Sequence, residues 1–124
     1  MIEFEDKDKI YKDKFLAFGV RVVKLKKFLN EKKHEYCIAD QILRAGTSIG
    51  ANHREAIYAE SELDFIHKLA IAQKECSETL YWLDLLYASD CINEEQYVSL
   101  YNDAEEIMKM LTASIIAAKK KVIH

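Results

Sequence analysis

The chain has 124 residues, of which 50% are hydrophobic and 31% are charged, and its formal net charge is −3 at pH 7. This composition excludes a disordered chain and a small fold that needs a metal for stability, because it provides enough apolar side chains for one core. Proline is absent and only three glycines occur, which argues against a many-stranded β fold, since its turns need such residues. We therefore predict an all-α protein.

The first predicted helix spans about residues 9–30. Its apolar side chains recur every three or four residues, as on one face of a helix, at Tyr11, Phe15, Phe18, Val22, Leu25 and Leu29. The second predicted helix spans about residues 35–59. Its apolar side chains have the same spacing, at Ile38, Ile42, Ala45, Ile49 and Ala56, and Asn52 occupies one position of this stripe. Asn52 is therefore predicted to place a polar group at the core.

The third predicted helix spans about residues 62–89, with Ser61 as its N-cap, and its stripe is Phe65, Leu69, Ala72, Cys76, Thr79, Leu83 and Leu86. The fourth predicted helix spans about residues 93–121, with Asn93 as its N-cap. Its apolar stripe is Tyr101, Ala104, Met108, Leu111, Ile115, Ala118 and Val122. Long helices with short connections favour an antiparallel up-down-up-down four-helix bundle. We predict one such domain over residues 1–124.

Polar side chains line one side of the second helix at the same spacing: Gln41, Arg44, Ser48, Asn52 and Glu55. An antiparallel hairpin would bring Glu75 and Glu78 of the third helix opposite them, so that either carboxylate could pair with Arg44. We favour a structural network that specifies helix register. The alternative is an acid–base or small-ligand pocket between these two helices.

The pattern Q-x-x-R-x-x-x-S-x-x-x-N-x-x-E, from Gln41 to Glu55, resembles the signature of the 23S rRNA intervening-sequence proteins. The similarity continues through Ser61, Phe65, Leu69, Ala70, Ala72, Glu75, Ser77, Glu78 and Leu111. The resemblance implies a four-helix bundle, commonly a homopentamer, with no assigned activity for most members. Relatives include accessory proteins of diversity-generating retroelements, which are thought to bind nucleic acid. The chain departs from the family at Ala56, a usual glycine, and at Tyr58-Ala59-Glu60, where arginines are common.

Patterns for metal binding and nucleophilic catalysis are weak. A di-iron bundle needs Glu-x-x-His motifs on two helices, and only Asp64-Phe65-Ile66-His67 approaches one. Cys76 falls on an apolar stripe, and no Cys-x-x-Cys pair occurs among the three cysteines, as zinc or redox sites would need. No apolar run reaches the roughly 18 residues of a bilayer span. We expect a cytoplasmic, non-enzymatic protein with no cofactor, no metal and no membrane partner.

Two basic segments are candidate nucleic-acid contacts, because lysine and arginine neutralise phosphates. One contains Arg21, Lys24, Lys26, Lys27, Lys32 and Lys33, and the other contains Lys119, Lys120 and Lys121. Apolar residues off the main stripes suggest a second apolar face for contact between subunits: Val20, Val23 and Phe28 on the first helix, and Ile107, Met110 and Ile116 on the fourth.

The leading hypothesis is a self-associating bundle, a pentamer by resemblance, that acts as an accessory associated with RNA or DNA. Repeating a modest basic patch around a ring multiplies its phosphate contacts, so that a chain with net negative charge can still bind nucleic acid. One alternative is a protein-binding scaffold that touches no nucleic acid. Another is a small-ligand or enzyme module built on Arg44, Asn52, Glu55, Glu75 and Glu78.

Overall fold

A computed structural model of the chain describes the backbone of residues 2–123 and the side chains of residues 8–123. Four helices account for almost all of this range: α1 (Ile2–Lys32), α2 (Cys37–Ile57), α3 (Glu62–Ala88) and α4 (Glu94–Ile123). Residues 2–123 contain no strand, and the prediction of an all-α bundle is confirmed.

The helix ends differ from the predicted ones most at the start of α1. The helix begins at Ile2, whereas the sequence pattern predicted a start at about residue 9. The predicted start was too late because the charged residues before Tyr11 carry no apolar stripe. Helix α2 is shorter than predicted and occupies Cys37–Ile57. His34, with a φ of 52°, interrupts the helical backbone before it. Helix α4 continues two residues beyond the predicted end, to Ile123.

Capping side chains fix the starts of α3 and α4 as predicted. Ser61 Oγ accepts a hydrogen bond from the backbone N–H of Asp64 at 3.0 Å. Asn93 Oδ1 accepts from the backbone N–H of Gln96 at 2.8 Å, and Gln96 Oε1 accepts from the N–H of Asn93 at 2.9 Å. This reciprocal pair is a capping box, which satisfies two backbone donors that a helix start leaves unpaired.

Neighbouring helices run antiparallel. Contacts between them pair an increasing residue number on one helix with a decreasing number on the next, as in Arg44 with Glu78 and Glu55 with Lys68 across α2 and α3. The first and last helices also meet, through Lys14 with Glu106 and Arg21 with Asp103. Helix α1 packs mainly on α2, and its contact with α4 is much smaller.

The predicted stripes form two adjoining core clusters. The first contains Phe15, Phe18, Val22, Ile49, Ala56, Leu69, Ala72, Cys76, Ala104, Ile107, Leu111 and Ile115. The second contains Leu25, Leu29, Ala39, Ile42, Leu83, Leu86, Ile92 and Leu100. Ile107 was expected on a second apolar face, but its exposed fraction is 0%, because the 104–107–111–115 spacing is also a helical stripe.

Glycine lets α1 and α2 approach closely at one point. A Cβ built on Gly46 would lie 2.8 and 2.9 Å from the two Cγ atoms of Val22. At Gly50, one turn further along α2, a Cβ would sit 3.5 Å from Phe15 Cβ, which is an ordinary contact. Gly19 is different, because a Cβ there would meet nothing within 4 Å.

We predict opposite effects for alanine at Gly46 and Gly19. Gly46→Ala should lower the free energy of unfolding by about 1–3 kcal/mol, because overpacking against Val22 outweighs the gain in helix propensity. Gly19→Ala should raise it by about 0.5–1 kcal/mol, because it gains propensity without a clash. Urea denaturation measures both changes. Val22→Ala should restore much of the loss in the Gly46→Ala background, and its failure to do so would contradict the steric explanation.

Candidate functional site

The polar residues predicted to form one network divide into separate groups. Arg44 donates from Nη2 to Glu78 Oε1 at 2.9 Å and to Gln41 Oε1 at 3.0 Å. Trp82 Nε1 donates to the same Glu78 oxygen at 3.3 Å. The side chains of Arg44 and Glu78 are 57% and 36% exposed, so we assign their ion pair little stability, about 0–1 kcal/mol.

The other members of the predicted network bond elsewhere. Ser48 Oγ donates to the carbonyl of Arg44 at 2.7 Å, and Asn52 Nδ2 donates to the carbonyl of Ser48 at 2.8 Å, so both bond within α2. Glu55 pairs with Lys68 at 3.1 Å. Glu75 makes no contact with Arg44, and its buried Oε2 has no hydrogen-bond partner in the described part of the chain. These residues therefore bond within α2 or form two surface ion pairs to α3, and they do not form the single network that the sequence predicted.

The structure also divides the basic residues of α1. Arg21 Nη1 lies 2.7 Å from Asp103 Oδ2, and its Nη2 donates to Ser99 Oγ at 2.8 Å. Lys26 Nζ lies 3.7 Å from Asp40. Burial opposes ionisation of Asp103, but hydrogen bonds from Arg21 and Lys14 hold its carboxyl pKa below the usual value. Arg21 and Lys26 thus each lie beside a carboxylate of another helix.

The remaining predicted contacts are exposed: Lys24, Lys27, Lys32, Lys33, Lys119, Lys120 and Lys121. None of them lies within 4.0 Å of a carboxylate in residues 8–123. Lys24 and Lys27 face α2, whereas the lysines at the end of α4 lie at the opposite end of the bundle from Lys32 and Lys33. The structure therefore does not bring the two predicted basic segments together within one chain.

Lys24 and Lys27 belong to a surface that we call the α1–α2 groove. This cavity of about 610 Å³ is lined by Lys12, Phe15, Leu16, Gly19, Val20, Val23, Lys24, Lys27, Thr47, Gly50, Ala51, His53 and Arg54. Its apolar side chains remain open to solvent, with exposed fractions of 64% for Leu16, 46% for Val20 and 39% for Val23. Four of the lining residues are cationic and none is acidic.

His53 is the buried polar residue that sequence reasoning missed. Its exposed fraction is 6%, and its ring packs edge-on against Phe15 with centroids 4.6 Å apart. Asn52, predicted for this role, is only half-buried. The apolar stripe can run from Ile49 to Ala56 by a step of three residues to Asn52 and then four, or by a step of four to His53 and then three. Both paths fit a helix equally well, so the sequence pattern does not distinguish the two residues. Burial lowers the pKa of His53 to about 4, with Asp8 opposing the shift and Arg54 and Lys12 adding to it.

A comparison with known families now adds to this geometry. The profile of the family described as "23S rRNA-intervening sequence protein" matches residues 7–113 of the chain. The chain belongs to this family. The resemblance drawn from the Gln41 to Glu55 pattern is thereby confirmed.

One solved structure similar to this family member is that of a protein of unknown function from the S23 ribosomal protein family of Bacteroides thetaiotaomicron VPI-5482. It is 54% identical, the match covers 85% of this chain and 97% of that one, and the TM-score is 0.84. No curated protein matches the chain. Family membership thus fixes the fold and leaves the activity open.

Among the described residues of this family member, no helix combines the length and the apolar character that a bilayer span requires. The same part of the chain holds no group of three histidine, cysteine or acidic residues placed to bind a metal ion. Cys76, considered as a nucleophile, is buried, and burial raises the pKa of its thiol to about 12. The thiolate needed for nucleophilic attack is therefore disfavoured there.

We predict that His53 makes the stability of the bundle sensitive to acid. Its pKa is about 4 in the folded chain, against 6.5 as the reference value. The unfolded chain therefore binds the proton more readily, and stability present above pH 6.5 is lost as the pH falls towards 4. The loss between pH 7 and 4.5 should be about 2 kcal/mol.

Denaturation of the parent and His53→Gln at both pH values measures this contribution. His53→Gln should lose about 2 kcal/mol less than the parent over the interval, because Gln does not titrate. His67→Gln is the matched control, since His67 is exposed, and it should keep the parent's pH dependence. Equal pH dependence in parent and His53→Gln would show that His53 is not the responsible group.

Proposed function

We propose that this family member is a non-enzymatic, self-associating bundle that associates with nucleic acid. The observation that carries the proposal is the α1–α2 groove, where exposed apolar side chains lie among four cationic residues and where no acidic residue from 8–123 lines the cavity. An exposed apolar strip favours contact with another protein surface, and an array of cations favours contact with a polyanion. The function therefore combines two contacts on the same side of the molecule.

The apolar part of the groove supports self-association. Leu16, Val20 and Val23 are spaced by four and three residues, so they form a continuous strip along α1. Burying such a strip against a second copy removes apolar surface from water, at roughly 25 cal/mol for each Å². Ile116 exposes further apolar surface on α4. A contact between different faces of successive copies forms a ring when its rotation closes, and a ring is the assembly that the family resemblance implies.

The cations around the groove support contact with nucleic acid. Lys24 and Lys27 lie one turn apart on α1, and Arg54 approaches from α2. Most of the acidic residues that pair with α1 are on α4, where Asp103 and Glu106 pair with Lys14 and Arg21, while Asp40 of α2 lies 3.7 Å from Lys26. Lys24 and Lys27 have no carboxylate within 4.0 Å among residues 8–123, so they stay cationic in a chain whose net charge is negative. Ring assembly would repeat these cations and multiply the phosphate contacts.

Self-association has a direct test. Val20→Asp should convert the oligomer into a monomer, because a carboxylate in a buried apolar contact loses its hydration without gaining a partner. Size-exclusion chromatography with light scattering measures the mass. Val98→Asp is the matched control, since Val98 is 45% exposed against 46% for Val20, and its mass should stay that of the parent. A monomeric parent, or dissociation by Val98→Asp alone, would contradict the groove as the contact.

Nucleic-acid association is tested with a structured ribosomal RNA fragment across a salt series. Lys24→Glu with Lys27→Glu should lower the affinity at least about tenfold at low salt and reduce the slope of log K against log salt by about 2. Lys74→Glu with Lys109→Glu, two exposed lysines on α3 and α4, changes the net charge equally and should bind like the parent. Equal losses of RNA affinity in the two double variants would indicate a nonspecific charge effect. A parent oligomer that ignores RNA would favour a protein scaffold instead.

A further inference from the structure

A second cavity, which we call the end cavity, lies where α2 ends and α3 begins. It has a volume of about 660 Å³ and is lined by Asp8, Tyr11, His53, Ala56, Ile57, Ala59, Glu60, Ser61, Glu62, Phe65, Leu69, Ser114, Ala117, Ala118 and Lys121. Pockets for small molecules commonly have about 300–1,000 Å³. The end cavity is therefore large enough for a ligand, and the proposed function makes no use of it.

The cavity exists because small side chains meet at this end of the bundle. Many of its walls are alanines and serines contributed by α2, α4 and the α2–α3 connection. At the opposite end, the corresponding interior is filled by large aliphatic side chains, among them Leu29, Ile42 and Leu86. The same backbone arrangement is thus close-packed at one end and open at the other.

His53 gives this cavity an unpaired polar group. The side chain is 94% buried, from its exposed fraction of 6%, and it forms part of the walls of both the end cavity and the α1–α2 groove. Neither ring nitrogen hydrogen-bonds a described residue, and neither is among the polar atoms fully sealed from solvent. Buried polar groups are nearly always paired with protein groups or with water, and a ligand that enters the cavity can take the place of that water at His53.

The charged residues at the end cavity favour a cation. Asp8, Glu60 and Glu62 contribute three carboxylates, against the single ammonium of Lys121. No ion pair joins any of these four residues within the described part of the chain. The apolar side chains of Phe65 and Leu69 also line the cavity. The lining thus combines an apolar wall, a neutral hydrogen-bonding group and an acidic rim.

We propose that the end cavity binds a small aromatic amine, whose ring packs on Phe65 and Leu69, whose N–H or O–H pairs with His53, and whose ammonium meets the acidic rim. A neutral imidazole offers one donor and one acceptor. The pKa of about 4 that burial gives His53 keeps it in that form at pH 7. The site is separate from the groove contacts of the proposed function and does not depend on them.

Tryptamine is a suitable probe, because it carries an indole N–H and an ammonium group on an apolar body. Isothermal titration of the full chain at pH 7 should show saturable binding with a Kd below about 1 mM. Tryptophol, which lacks the charge, should bind at least about fivefold more weakly, and indole-3-propionate, which reverses it, should bind weakest. Equal affinity for the three, or no saturation by tryptamine, would overturn the proposal.

Two variants on α4 locate the site. Ala117→Leu fills the end cavity from an exposed position and should weaken tryptamine binding at least about tenfold. Ala113→Leu makes the same change one turn away, at an exposed residue outside the cavity lining, and should leave binding unchanged. His53→Leu should weaken binding by a similar factor, with circular dichroism confirming the helical fold. Unchanged binding by Ala117→Leu would place the amine elsewhere and reject the end cavity as its site.

Discussion

The close approach of α1 to α2 is the constraint on which the described surfaces depend. Gly46 lacks the side chain that would collide with Val22, and Gly50, one turn further along α2, lies against Phe15. Side chains between two helices normally fill the space outside such a contact. Here the outer positions carry glycine, threonine and alanine, so the space remains as the α1–α2 groove. The ring of Phe15, which lines this groove, packs against His53.

The distribution of charge follows from which neighbour each side of α1 faces. The side facing α4 meets Asp103 and Glu106, which bind Lys14 and Arg21 and neutralise them. On the side facing α2, Lys24 and Lys27 have no carboxylate within 4.0 Å among residues 8–123. A chain with net negative charge thus keeps a local cationic surface, because no acidic residue occurs in α1 between Asp13 and Glu31. Net charge alone would not have indicated this separation.

Polar residues in this bundle have different structural roles, and burial decides which role each one has. The exposed Arg44–Glu78 and Glu55–Lys68 pairs cross the α2–α3 interface at two heights, which restricts helix register without adding much stability. His53, buried against aromatic rings, instead loses basicity and contributes to acid sensitivity. The same depth leaves His53 at the walls of two cavities.

The helices, most of their buried stripes, the caps at Ser61 and Asn93 and the membership in the intervening-sequence protein family could all be predicted from the sequence. These features depend on residues within a few positions of one another, where periodicity and capping rules apply directly. Successive residues differ by about 100° around a helix, so the stripe could not distinguish Asn52 from His53. Three features could be seen only in the tertiary structure: Arg44 pairs with Glu78 and not with Glu75, Arg21 pairs with Asp103, and small residues leave a cavity at one end of the bundle. Those outcomes depend on the rotation and axial shift of helices that are distant in sequence, which no local pattern specifies.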